Sequence, residues 1–207
     1  MPEPAARPRL IGIAGGSGSG KTTITSALMD ALGGRAVLVQ HDWYYRDQSG
    51  LPEPQRATLN YDHPNAQETA LLAAHLESLR RGEEIEAPQY DFTTHTRTTE
   101  TRRIAPRPII VVEGINTLAD SGLRKTFDLT VYVDTPADIR FIRRLQRDMA
   151  ERGRSAESVI RQYLEQVRPM HEAFVEPALA TADLVLSGED RVSVSVASIL
   201  QCLGLAE

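Results

Sequence analysis

The chain has 207 residues, 41% hydrophobic and 25% charged, with a formal net charge of −5. That length suits one α/β domain with a modest core, and the acidic balance supplies no global positive field to attract nucleic acid or anionic lipid. No apolar run approaches the roughly 18 residues of a membrane span, residues 1–8 lack a signal-peptide core, and the lone cysteine, Cys202, excludes an intramolecular disulfide or a cysteine-based metal cluster, so a cytoplasmic protein is expected.

Residues 1–8 are Pro-rich and predict a disordered tail; residues 9–207 are expected to form a single domain. The short apolar run 10–14, ended by glycines, reads as a buried parallel strand. The pattern turns helical over 21–32 and stops at Gly33-Gly34. A second strand covers 36–40, and 46–62 reads as irregular, with Pro52 and Pro54. Residues 65–81 read as a helix with Leu71, Leu72, His75, Leu76 and Leu79 along one side. The stretch 83–104 is Thr-rich, alternates, and contains Pro88, which predicts strands or a hairpin outside the main sheet. Ile109 to Val112 is a third buried strand ending in Glu113-Gly114, and 129–133 a fourth ending at Asp134. Helices are expected at about 136–151 and 155–174, a last strand at 184–186 and a closing helix at 190–204. This alternation argues an α/β fold with a doubly wound, mainly parallel sheet. The segment 83–104 becomes a β insertion and 136–174 a helical lid.

Gly15-Gly16-Ser17-Gly18-Ser19-Gly20-Lys21-Thr22 fits G-x-x-x-x-G-K-[ST] in full, between a buried strand and a helix start. Glycines let such a loop wind so that backbone N–H groups point at phosphate oxygens, and the helix N-terminus adds its partial positive charge. Lys21 would reach the outer phosphates, and Thr22 would offer its hydroxyl to Mg²⁺. Of the 23 basic residues only Lys21 and Lys125 are lysines, and one of them falls where a compact ammonium is needed. Glu113, at the C-terminal end of an apolar strand, lies where open α/β sheets place ligands and can hold a Mg²⁺ shell.

A GTPase would carry an N/T-K-x-D motif, which neither lysine supplies, and the chain is short for a ring ATPase. A small-molecule kinase has positive support. Asp42 follows the second strand, where its carboxylate can take the proton of an acceptor hydroxyl or help order Mg²⁺. Six of the eleven aromatics (Trp43, Tyr44, Tyr45, Tyr61, Tyr90, Phe92) fall between residues 43 and 92; gathered with Asp42, Asp62, His63 and His95, they suggest a pocket for a flat ring. After Asp134, Arg140, Arg143, Arg144 and Arg147 share one helical face, and Arg152 and Arg154 continue the run. Arg forks there suit the charge on a transferring phosphoryl group. Phe141, Ile142, Leu145 and Met149, opposite, are expected to pack on the protein.

Together these stretches resemble one family, the uridine kinases (uridine-cytidine kinases). The resemblance spans about residues 9–186. It is carried by Gly15–Thr23, Asp42-Trp43-Tyr44-Tyr45, Asn60-Tyr61-Asp62-His63-Pro64, Pro88-Gln89-Tyr90-Asp91-Phe92, Thr94-His95-Thr96-Arg97, Val112-Glu113-Gly114-Ile115, Val133-Asp134-Thr135, Arg143-Arg144 to Arg154, Gln162-Tyr163 and Val167-Arg168-Pro169-Met170-His171. The resemblance implies ATP- or GTP-dependent phosphorylation of uridine and cytidine at the 5′-hydroxyl. Carried over, Asp42 is the general base, and Asp62 and Arg154 contact the ribose hydroxyls. Tyr90 and His95 form the base pocket with Tyr45 and Phe92 beside them, and Arg144 and Gln162 are further substrate contacts. Arg147 and Arg152 lie over the phosphates, the loop from Gly15 to Thr23 holds the donor nucleotide, and Thr22, Glu113 and Asp42 surround Mg²⁺. Family members are commonly homotetramers. The chain departs from the family at three places. Trp43 stands where Ser is usual, Asn65-Ala66-Gln67-Glu68 replaces Asp-Ala-Phe-Asp, and Leu186 to Asp190 lacks the usual Pro and Gly pair, leaving Asp190 as a candidate contact to the donor base. Kinases resembling phosphoribulokinase or pantothenate kinase, and a nucleotide-binding regulator without catalysis, are the competing readings.

Overall fold

The computed structural model describes residues 7–56 and 58–205; of the predicted tail, residues 1–6 lie outside these. Its strands are β1 (Arg9–Gly15), β2 (Ala36–Gln40), β3 (Ile85–Asp91), β4 (Thr96–Ile104), β5 (Ile109–Glu113), β6 (Leu129–Asp134) and β7 (Leu184–Ser187). Its helices are α1 (Lys21–Leu32), α2 (Glu53–Arg56), α3 (Thr69–Arg80), α4 (Ser121–Arg124), α5 (Ala137–Arg152), α6 (Ala156–Gln162), α7 (Arg168–Met170) and α8 (Val192–Cys202).

Five strands form a parallel sheet in the order β2-β5-β1-β6-β7. The apolar runs are continuous because both faces are covered, with alternate residues going to opposite sides. In β5, Ile109 and Val111 join Ile24, Leu28 and Leu32 of α1 and Val196 and Ile199 of α8 in one cluster. Ile110 and Val112 join Leu72, Leu76 and Leu79 of α3, with Ile85, Ala87 and Ile104, in the other. Those last three belong to the antiparallel pair β3-β4, which stands apart from the main sheet and is anchored to it by this shared core.

Three expectations about helices need correction. The helix expected from residue 65 begins at Thr69, because Pro64–Ala66 forms a 3-10 turn whose entry is fixed by the Asn65 amide donating to His63 Nδ1 at 3.0 Å. The run 155–174 is not one α-helix. Past Gln162 the backbone widens into π turns at Tyr163–Val167 and His171–Val175, then tightens to 3-10 over Glu176–Thr181. Pro169, between the two π turns, and Pro177, in the 3-10 turn, have no N–H to donate. The faces of α5 differ most. Its buried line is Arg140, Arg144 and Asp148, whereas Ile142 and Met149 are 48% and 47% exposed. The helix lies over the polar end of the sheet, where carbonyls and side-chain oxygens are the available partners. Arg140 Nε donates to the Thr135 carbonyl at 3.0 Å, and Arg144 donates to Ser17 Oγ at 2.8 Å and Gln162 Oε1 at 2.9 Å. Of the expected apolar face, Phe141 finds a ring partner in Tyr163, 4.7 Å away.

Candidate active site

β1 is the central strand, flanked by β5 and β6, and the glycine-rich loop leaves its C-terminal end to enter α1. Gly18 holds φ at +84°, and a Cβ there would strike the Arg140 carbonyl, so the approach of α5 to the loop requires glycine. The loop is braced from outside. Thr135 Oγ1 donates to the Ser19 carbonyl at 2.9 Å, the Gly188 amide to the Asp134 carbonyl at 2.7 Å, and Arg143 to the Gly188 carbonyl at 3.0 Å. Lys21 is buried, its Nζ 3.7 Å from Glu113 Oε1, and Thr22 Oγ1 donates to the same oxygen at 3.4 Å.

A cavity of about 640 Å³ opens above this end of the sheet. It brings together Ser17, Gly18, Gly20, Lys21, Thr22 and Thr23 of the loop with Asp42 and Glu113. It is also lined by Tyr45, Asp62, Tyr90, Phe92 and His95, and by Arg144, Arg147, Arg152, Arg154 and Gln162. Three predicted loop residues do not line it: a Cβ on Gly15 would press on Val133, Gly16 faces Arg140 and His171, and Ser19 is fully buried. The expected aromatic pocket also narrows. Tyr44 turns into the core, its hydroxyl 2.9 Å from His75 Nδ1, and Trp43 packs on that core with Arg102 4.8 Å above its ring. Tyr61, one of the expected six, lines the cavity, stacked on His95 at 5.4 Å and edge-on to Tyr45 at 5.5 Å.

Burial and charge set the protonation states. Burial, reinforced by Glu113 and opposed by Lys21, pushes the Asp42 carboxyl from 3.8 up to about 6. Burial also raises Asp62, against the pull of Arg144. His95 is held below its ordinary value by burial and by Arg154, so its ring is neutral at pH 7.

The lid arginines have an anchor that sequence reasoning missed. Asp148, fully buried, takes Arg147 at 2.8 Å, Arg154 at 3.3 Å, Arg152 at 3.6 Å and Arg144 at 3.7 Å. Burial alone would raise its pKa, but Arg147 and Arg144 outweigh that and hold it low. The available signal was an acid four residues from both Arg144 and Arg152. Gln162 Oε1 ties Arg144 to Arg154, at 2.9 and 2.7 Å. Arg143, Gly188, Glu189 and Asp190 also line the cavity, which brings the departing C-terminal segment to the site.

The residues fit a divalent cation of the Mg²⁺ type. Thr22 and Glu113 touch, and Asp42 is close enough to Glu113 for the Glu113 carboxylate to disfavour charge on Asp42. Among the described residues no three His, Cys, Asp or Glu side chains form a metal cage. One hydroxyl and neighbouring carboxylates would suit a hard cation that keeps part of its water.

A family model described as "Phosphoribulokinase / Uridine kinase family" matches residues 10–195. The chain belongs to the phosphoribulokinase/uridine kinase family. Within it, the chain is 48% identical over 190 residues to a protein named uridine kinase from Chloroflexus aurantiacus, covering 91% of each. It is 50% identical over 193 residues to one of the same name from Geobacillus kaustophilus, covering 92% of each. The fold is shared with phosphoribulokinase from Rhodobacter spheroides, at TM-score 0.64 and 18% identity over 87% of this chain and 70% of that one. It is shared equally with D-glycerate 3-kinase from Cryptococcus neoformans, at TM-score 0.64 and 18% identity over 92% and 90%. Among the described residues, no helix of this family member is long and apolar enough to cross a membrane.

Proposed function

We propose that the chain transfers the γ-phosphoryl group of ATP or GTP to the 5′-hydroxyl of uridine and cytidine, giving UMP and CMP. One observation carries this reading. A single cavity holds the glycine-rich loop, a buried carboxylate of raised pKa, and a wall of aromatic rings with a neutral imidazole. The loop and Lys21 cradle the donor phosphates. Asp42, basic for a carboxylate yet ionised at neutral pH, accepts the 5′-hydroxyl proton as the bond to phosphorus forms. Thr22 and Glu113 would hold Mg²⁺, with Asp42 helping to order its water, and the ion when bound neutralises charge on the phosphates. Arg147 and Arg152 stabilise charge spreading over the transferring group.

Asp62 and Arg154 take the two ribose hydroxyls, and Arg144 and Gln162 hold that pair in register. Tyr45, Tyr90 and Phe92 enclose the base. His95 presents a donor or an acceptor nitrogen according to its tautomer, which accommodates the O4 of uracil and the amino group of cytosine alike. A sugar phosphate such as ribulose 5-phosphate would want further cations among Tyr45, Tyr61 and Phe92, where the lining is aromatic. The reading carries with it a cytoplasmic homo-oligomer, tetrameric by the family resemblance, acting on small molecules without nucleic acid.

The test is nucleotide consumption with uridine, cytidine, adenosine, ribulose 5-phosphate and pantothenate, each with the parent protein and Asp42→Asn. Turnover of uridine and cytidine, cut to a small residual rate in the variant and absent with adenosine, is expected. Turnover of ribulose 5-phosphate or pantothenate alone would overturn the pocket assignment. No turnover with nucleotide still bound would favour a regulator.

A further inference from the structure

Three segments meet beside the cavity: the turn after β2, with His41 and Asp42; the turn after β5, with Asn116; and the segment before α3, with Asp62 and Gln67. One run of hydrogen bonds joins them. Asn116 Nδ2 donates to the Asp62 main-chain oxygen and to Gln67 Oε1, both at 3.2 Å. Gln67 Nε2 donates to Asp42 Oδ1 at 3.3 Å and to the His41 main-chain oxygen at 3.4 Å. Both amide side chains are 2% exposed.

The ends of the run dictate its direction. The Asp62 and His41 carbonyls and the Asp42 carboxylate can only accept. Asn116 must therefore turn its NH₂ to Asp62, Gln67 its oxygen to Asn116, and the Gln67 NH₂ falls on Asp42. Flipping either amide would set oxygen against oxygen in a buried place. The backbone reinforces this placement. Tyr45 and Gln67 form an isolated antiparallel bridge, the Glu68 amide donates to the Tyr44 carbonyl at 2.7 Å, and the Arg46 amide to the Ala66 carbonyl at 2.8 Å. Gln67 is thus fastened to the end of the 3-10 turn that carries Asp42. It is also one of the departures from the family pattern, standing where Phe is usual. A phenyl ring has no donor for a carboxylate, and burying an amide in its place is costly unless each of its groups is paired, as here.

We propose that Gln67, clamped by Asn116, is the positioning residue for Asp42. It holds Oδ1 as an acceptor from the protein and leaves Oδ2 to take the nucleoside 5′-hydroxyl proton. Through the Asn116 bond to Asp62, the same run sets the proton acceptor relative to the ribose site. This inference rests on the kinase reading above.

The test is steady-state kinetics on Gln67→Met, which keeps an unbranched side chain of similar length and removes the donor. Loss of a hydrogen bond to a charged group predicts a fall in kcat of about tenfold or more, with KM for uridine and for ATP unchanged. In an Asp42→Asn background, Gln67→Met should lower the residual rate no further, since it acts through Asp42. An unchanged kcat, a rise in KM with kcat intact, or an equal loss in the Asp42→Asn background would each overturn the proposal. If Gln67→Met does not fold, Asn116→Leu, which leaves Gln67 in place without its anchor, is judged by the fall in kcat and its absence in the Asp42→Asn background, because the loss of the Asn116 bond to Asp62 also moves the KM for uridine. A parent protein with no turnover of uridine overturns the kinase reading and this inference with it. A parent active on uridine and a Gln67→Met variant just as active overturn this inference alone.

Discussion

Asp42→Asn should cut phosphoryl transfer to a small residual rate and at the same time stabilise the free protein. The native carboxyl ionises near pH 6 because burial and Glu113 disfavour its charge, whereas an unfolded chain ionises it near 3.8. The sign follows from linkage. At pH 8 the carboxylate is charged in both states, and the charge costs the folded one. As pH falls through 6 the folded carboxyl takes up its proton and the cost is relieved, becoming small near pH 4 and vanishing only below 3.8, where the unfolded state is protonated too. At about 1.4 kcal/mol per pKa unit the full cost is about 3 kcal/mol, and for a domain of this length that is roughly 6–12 °C in Tm. Asparagine keeps the size and the Oδ1 acceptor for Gln67 but carries no charge. The assay is thermal unfolding of parent and Asp42→Asn without nucleotide or Mg²⁺, from pH 4 to pH 8. The variant should melt higher at pH 8, with the gain shrinking towards pH 4. A variant that melts no higher at pH 8, or a gain constant across the range, would refute the claim that this carboxylate is held at a cost to stability.

Two further outcomes follow from the lid and the ribose site. Asp148→Asn should lower both Tm and kcat. Four guanidiniums share this buried carboxylate, but Arg147, Arg152 and Arg154 are partly solvated, so the penalty falls mainly on buried Arg144, about 2–3 kcal/mol or roughly 5–10 °C. Because the Asp148 carboxyl is held below its ordinary value, its contribution is present above pH 3.8 and is lost as pH falls through the lower folded value; thermal melts of the Asn variant should lack that acid limb. Replacing uridine by 2′-deoxyuridine should lower kcat/KM by at least about tenfold, because one partner of Asp62 or Arg154 is left unpaired; equal values in the same coupled assay would remove Asp62 from the ribose site.

What was legible in the sequence is what local pattern controls. The run Ile109 to Val112 reads as a buried strand because both faces of the sheet are covered, and the glycine-rich loop reads as a cradle because its residues are contiguous. The faces of α5 were not legible. Periodicity assigns apolar residues inward, but the surface beneath this helix is made of carbonyls, Ser17 and Gln162, so Arg140, Arg144 and Asp148 are drawn in and Ile142 and Met149 left out. Trp43, Tyr44 and Tyr45 could not be sorted by composition, since successive residues of a tight turn point different ways. Gln67 and Asn116 looked like ordinary loop residues because their partners come from segments 25 and 49 or more positions away.

The place of β1 in the sheet bears on how the protein is made. The phosphate-binding motif leaves the ribosome well before the partners of its strand, because among the described residues β1 pairs with β5 and β6, which start at Ile109 and Leu129. Until those are synthesised, both edges of an apolar strand are open to wrong partners, the condition under which nascent chains depend on slow synthesis or on chaperones. The brace on the loop comes later still, from Thr135 and Gly188. A chain halted before Gly188 carries the whole motif and lacks its full brace.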